Sequence, residues 1–184
     1  NISGDQTICS GNPPGLLGSI TESVADRSGD GATVNYYWEK NEGAGWSLLG
    51  ASNSSTFQPG ILTTTSAFRR VLSSEYNTKT CLDISDTVTV TVTNGPSITN
   101  FELSSSTNNT ICNDDEAVFE VTSTGVTTPS YRFFHNLNPI GVLIVGGSTA
   151  SITVSSTIEL NDMDQIQVRV YGNNDGTGCS VSST

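Results

Sequence analysis

A single histidine, His135, is all that these 184 residues offer to a hydrolytic or metal site that depends on imidazole. A Ser-His-Asp or Cys-His arrangement would have to use it, and no Gly-x-Ser-x-Gly motif flanks a serine. Following Tyr131-Arg132-Phe133-Phe134, it reads as a strand-edge or loop histidine. Zinc is a poor fit as well, because no two of the four cysteines lie within a few residues of each other. Cations are scarce: Lys and Arg number 7 against 18 Asp and Glu, for a net charge of −11. An acidic surface repels phosphate backbones and anionic lipid, so neither nucleic acid nor a membrane surface is an expected partner. Long apolar runs are missing too. The segment Ile140-Gly141-Val142-Leu143-Ile144-Val145 is far too short to insert in a bilayer and reads as a buried strand. No signal peptide is visible, so the chain is expected to be a piece of a larger exported protein.

What the chain has is strand signal. Thr87-Val88-Thr89-Val90-Thr91-Val92-Thr93 alternates strictly, as does Gln165-Ile166-Gln167-Val168-Arg169-Val170-Tyr171. A period of two with β-branched residues marks half-buried antiparallel strands. Turn clusters such as Asn41-Glu42-Gly43, Asn94-Gly95-Pro96 and Gly146-Gly147 separate the runs, and no segment has an apolar stripe at helical spacing. The expected strands lie near 2–8, 16–24, 33–40, 46–50, 55–58, 66–74 and 85–93, then near 98–104, 116–123, 130–135, 141–145, 149–155 and 165–171. That spacing predicts an all-β fold of immunoglobulin-like antiparallel sandwiches.

The cysteines suggest how many. Thr7-Ile8-Cys9 recurs as Thr110-Ile111-Cys112, and Cys81 is answered by Cys179. The offset of about 100 residues is the length of one sandwich domain. The economical reading is two tandem modules, 1–94 and 95–184, stapled by Cys9–Cys81 and Cys112–Cys179, each bridge contributing roughly 3–4 kcal/mol. Such bridges persist outside the reducing cytosol, which points to an extracellular or cell-surface setting. Aligned on the first module, the second is expected to lack its last strand. The short Pro96-containing linker predicts modules stacked end to end with their neighbouring repeats.

The first module reads Gly4-Asp5-Gln6-Thr7-Ile8-Cys9, Tyr37-Trp38-Glu39, Trp46-Ser47-Leu48-Leu49-Gly50, Phe57-Gln58-Pro59 and Phe68-Arg69-Arg70-Val71 before Cys81. This succession resembles the immunoglobulin-like repeats of very large surface proteins of Bacteroidetes, above all the gliding-motility adhesins of flavobacteria. The second module is a weaker match: it keeps Thr110-Ile111-Cys112 and Cys179 but has no tryptophan. The resemblance implies type IX secretion, display as a filament of β-sandwiches, and a stalk role in attachment and gliding. The partner would be an extracellular substratum or polysaccharide, met through the parent protein. A second hypothesis makes the modules accessory carbohydrate-binding or spacer domains of a secreted hydrolase.

Two kinds of ligand site remain to be weighed. Asp114, Asp162, Asp164 and Asp175 lie in oxygen-rich turns, as does Asp26 with Asp30, and calcium needs six to eight converging oxygens. None has EF-hand spacing, and solvated turns are the commoner use of such residues. No other cofactor is expected. Among the aromatics Tyr36, Tyr37, Trp38 and Trp46, alternation turns Tyr37 away from its neighbours, and Trp38 holds the place of a sandwich core aromatic. Trp46, after Gly43-Ala44-Gly45, is the candidate for sugar stacking, set against packing at a core edge. No catalytic residue is assigned. The sequons at Asn1, Asn53 and Asn108 arise readily by chance in a Ser/Thr/Asn-rich chain.

Overall fold

A computed structural model describes residues 2, 4–18, 33–51, 53–105, 116–154, 160 and 163–183. Every regular element among them is a strand. No helix is long and apolar enough to cross a membrane among the described residues. The chain divides into two compact units, Asn1–Thr93 and Asn94–Thr184.

The first unit contains β1 (Gln6–Cys9), β2 (Leu17–Gly18), β3 (Thr33–Asn41), β4 (Trp46–Ala51), β5 (Thr56–Phe57), β6 (Ser66–Tyr76), β7 (Lys79–Ile84) and β8 (Val88–Thr93). Its main sheet runs β1-β8-β6-β3-β4, with β7 also on β6, and β2 pairs with β5 in a second, small sheet. The backbone of the unit is the β3–β6 ladder, from Thr33 opposite Glu75 to Asn41 opposite Ala67. Alternation turns Trp38, Phe68, Val88 and Val90 inward, where they meet Leu17 of the small sheet together with Ile2 and Leu62. Trp38 stacks on Phe57 with ring centres 5.8 Å apart, and Phe57 reaches Phe68 at 6.1 Å. The indole N–H of Trp38 donates to the Ser54 carbonyl at 3.4 Å, so its polar edge is not stranded in the core. The first strand is unusual. It runs parallel to the last, Gln6 opposite Val90 through Cys9 opposite Thr93.

The second unit contains β9 (Ser97–Leu103), β10 (Ala117–Thr124), β11 (Ser130–His135), β12 (Asn138–Val145), β13 (Thr149–Val154), β14 (Ile166–Tyr171) and β15 (Ser180–Ser182). Sheet β13-β10-β9 faces sheet β12-β11-β14-β15. Val121 and Ala150 from the first sheet pack against Tyr131, Phe133, Val168 and Val170 from the second. Tyr131 crosses the gap: its hydroxyl is bonded to Ser123 Oγ at 2.8 Å and donates to the Gly147 carbonyl at 2.9 Å. Both hairpins that follow the central strand carry a bulge at a glycine with left-handed backbone, Gly50 (φ 110) in the first unit and Gly141 (φ 64) in the second. At Gly141 a Cβ would lie 2.9 Å from Ile152 Cδ1, a side-chain end that can swing aside, so it is the left-handed backbone that asks for glycine there.

The β6–β7 hairpin closes on Asn77 (φ 47) and Thr78 (φ 62), both central residues being left-handed. Such primed turns fit strand twist, but a β-branched residue at the second position costs about 1–2 kcal/mol. Thr78→Gly is therefore expected to stabilise the chain by about 0.5–1 kcal/mol, net of the extra freedom glycine gives the unfolded state. Thermal denaturation checks it, and the midpoint should rise by a few degrees.

The cysteines depart from the expected pairing. Cys81 carries a free, exposed thiol, whereas Cys9 and Cys179 are disulfide-bonded. Cys112 lies outside the described residues, and with it the expectation that it pairs with Cys179. The Cys9–Cys81 staple is ruled out by register. Cys81 sits opposite Ser74 near one end of β6. Cys9 sits on β1 beyond the level of Val90, which pairs with Ser66 at the other end. The two cysteines are thus roughly 25 Å or more apart along the sheet at the rise of an extended strand. A disulfide needs Cα atoms within about 7 Å.

Candidate functional site

The outer face of the first unit's main sheet gathers Tyr37, Glu39, Asn41, Trp46, Leu48, Arg69 and Val71, because register sets Tyr37 opposite Val71, Glu39 opposite Arg69 and Leu48, and Asn41 opposite Trp46. Arg69 Nε donates to Glu39 Oε2 at 2.7 Å. The same guanidinium lies over the Trp46 ring, Cζ 4.1 Å from its centre. Trp46 is therefore half-buried on the outer face of the sheet. One face of its indole is taken by Arg69, a cation–π contact locked by the ion pair beside it. On the inner face Arg70, opposite Trp38, lies 4.1 Å over the Tyr36 ring and is buried. Tyr36 and Tyr37 thus point to opposite faces, as alternation requires.

At the hairpin next to Trp46, Glu42 is held below the usual carboxylate range, first by its hydrogen bond with Lys40 (2.8 Å) and then by that from the Thr64 hydroxyl (2.9 Å). A carboxyl lowered in the folded state adds stability above its unfolded pKa and loses it as the pH falls through the folded value. Glu42 and its partners are accordingly a turn lock that weakens in acid.

The two described aspartates of the second unit's oxygen-rich turns, Asp164 and Asp175, bond to the protein itself. Asp164 Oδ1 accepts from Asn136 Nδ2 at 2.7 Å, and its Oδ2 lies 2.9 Å from His135 Nε2. Both carboxylate oxygens thus face N–H donors or an imidazole, which is poor ground for a cation. Asp175 Oδ1 accepts from the hydroxyl and the backbone N–H of Thr177, an Asx turn, and the Thr177 hydroxyl holds its carboxyl below the ordinary range. Asp114 and Asp162, like Asp26 and Asp30, lie outside the described residues. No cluster of three or more His, Cys, Asp or Glu stands ready for a metal among the described residues.

His135 ends β11 with Asp164 on one side and the Asn136 amide, 3.2 Å from Nε2, on the other. Among the described residues the polar partners of its ring are Asp164 and Asn136. Its contribution is positional. Asn136 Oδ1 accepts the Gln165 N–H at 2.9 Å while Asn136 N–H donates to the Gln165 carbonyl at 2.9 Å, which ties the β11–β12 turn to the start of β14. Sequence reading passed over this role of Asn136, for which the two-residue turn Asn136-Leu137 was the available signal.

What the two units define is an all-β, sandwich-like protein whose sheets pack around aromatic and aliphatic cores. The chain belongs to the family described as Domain of unknown function (DUF8696), whose pattern matches residues 1–94. Solved structures similar to it include fibronectin(III)-like modules of CbhA from Clostridium thermocellum, at 12% identity and a TM-score of 0.40, covering 99% of this chain and 91% of that one. A chicken TCR structure is similar at 12% identity and a TM-score of 0.33, covering 100% of this chain and 96% of the other. No curated protein matches.

Proposed function

We propose that this chain is a non-catalytic stalk segment of a large, filamentous bacterial cell-surface adhesin, exported by type IX secretion, that serves attachment and gliding. The observation that carries the reading is the parallel pairing of β1 with β8. These are the first and last strands of the first unit, so tension applied at its two ends pulls them in opposite directions along a shared ladder. The inter-strand bonds are then loaded together, in shear, instead of opening one after another. Further bonds strap the same pair: Thr89 N–H donates to Asp5 Oδ1 (2.8 Å), Thr93 Oγ1 to the Ile8 carbonyl (3.1 Å) and Ser10 N–H to the Thr93 carbonyl (2.9 Å). A spacer that transmits load is served by such a clamp. The net charge of −11 keeps crowded copies of such a filament apart.

The experiment has two arms. Antibody raised against this segment is expected to label intact cells, and labelling only after permeabilisation overturns the surface assignment. Under single-molecule extension in reductant, which opens the Cys9 disulfide so that the strand ladder bears the load, the first unit should give a high rupture force that falls sharply in Ile8→Pro, which removes an N–H from β1. An unchanged force in that variant removes the clamp from the argument.

A further inference from the structure

Strands β11, β12, β14 and β15 contain no aspartate or glutamate, although the chain has 18 acidic residues. The outer face of their sheet instead carries Arg132 and Arg169, directly opposite each other in register. On a protein of net charge −11 this is a face where an anion meets no like charge in the sheet beneath it.

A groove of about 230 Å³ runs along this face, lined by Phe134, Leu137, Gln167, Val168, Arg169 and Ser182. Arg169 is steadied without being neutralised. Its Nε donates to Ser182 Oγ at 3.2 Å, and its Cζ lies 5.7 Å from the Phe134 ring centre. No carboxylate pairs with it among the described residues, which leaves the forked terminal N–H groups for an incoming partner.

Leu137 closes one end of the groove at a cost. It is 74% exposed and held at φ 68, a backbone region that disfavours a branched side chain. Glycine is the ordinary residue for the second place of such a turn. The turn is nonetheless fixed by the bonds from Asn136 to Asp164 and Gln165. Strain of this kind persists where the surroundings over-determine it, and it concentrates at ligand clamps.

We propose that this groove binds a carboxylate-bearing sugar ring of the kind that builds acidic polysaccharides. Arg169 takes the carboxylate through its terminal N–H pair. Phe134 and Leu137 offer an apolar surface to the C–H face of the ring, while Gln167 and Ser182 supply amide and hydroxyl partners for its hydroxyls. The groove is smaller than the roughly 300 Å³ at which pockets for drug-sized ligands begin, which suits one ring at a time. An acidic peptide is the rival anion. Extended peptides engage a sheet through a free strand edge, and this groove lies on the sheet's face. The inference stands on the second unit alone and does not depend on the stalk reading.

The whole 184-residue chain is titrated calorimetrically with oligoglucuronate, with a neutral glucan of equal length and with a polyglutamate peptide. Oligoglucuronate is expected to bind in the millimolar range or tighter, with the neutral glucan and polyglutamate at least about tenfold weaker. Arg169→Gln should lose about tenfold or more. Leu137→Gly should weaken binding several-fold while the melting temperature holds or rises, which separates loss of the rim from loss of the fold. Arg69→Gln, in the first unit, should bind as the unaltered chain does. Equal affinity for the neutral glucan, preference for polyglutamate, indifference to Arg169→Gln, or no binding of oligoglucuronate at millimolar concentration each overturns the proposal.

Discussion

Trp38→Ala is expected to destabilise the first unit by about 3–5 kcal/mol, the range for truncating a fully buried aromatic. Trp38 is 1% exposed at the centre of a cluster that includes Leu17, Phe68, Val88 and Val90, and it stacks on Phe57. Domains of this size hold roughly 5–15 kcal/mol in all, so the variant should sit near the edge of folding at room temperature. Urea denaturation checks this through the midpoint. Trp46→Ala is the informative comparison. It removes as many atoms from a side chain of the same type, but those atoms lie on the outer face under Arg69. Its cost should stay at about 1 kcal/mol, that of a surface cation–π contact. Equal midpoints for the two variants would mean that the assignment of inner and outer faces is wrong.

The contrast between the two tryptophans shows where sequence reading succeeds. Valine-threonine alternation at 88–92 defines a strand with one buried face, and Val88 and Val90 are indeed in the core. The aromatic third strands, around Trp38 and around Phe133, lie where periodicity and sandwich logic put them. Trp46 was harder, because its partner depends on register. Arg69 faces Glu39 only once β3 and β6 are aligned. Two strands escaped the sequence, β7 and β15. Lys79–Ile84 carries no run of β-branched residues on one face, and its turn, Asn77-Thr78, lacks the glycine that usually announces a two-residue hairpin. Missing β7 also left Cys81 in a loop, free in principle to reach Cys9. The groove of the second unit was invisible for a related reason: a sheet without carboxylates is recognised only when four separate segments are known to be neighbours.

Cys9→Ser and Cys81→Ser should therefore behave very differently. Removing the bonded Cys9 takes a constraint from the unfolded chain and is expected to cost about 2–5 kcal/mol. Removing the Cys81 thiol, exposed on the β7 strand, should leave the melting temperature within about a degree, as for most surface substitutions. The two also differ in reactivity. A maleimide offered to the native, unreduced chain should modify Cys81 and spare Cys9 and Cys179, which peptide mapping reads directly. The mixed outcome matters for mechanics as well as stability. A Cys9–Cys81 bridge would have shielded the segment between those residues from extension. With Cys81 free, that bridge is absent, and the covalent constraint on β1 is the one Cys9 makes elsewhere. If Cys81→Ser lowered the melting temperature as much as Cys9→Ser, the two thiols would have to be partners, and β1 could not hold its register against Val90 to Thr93.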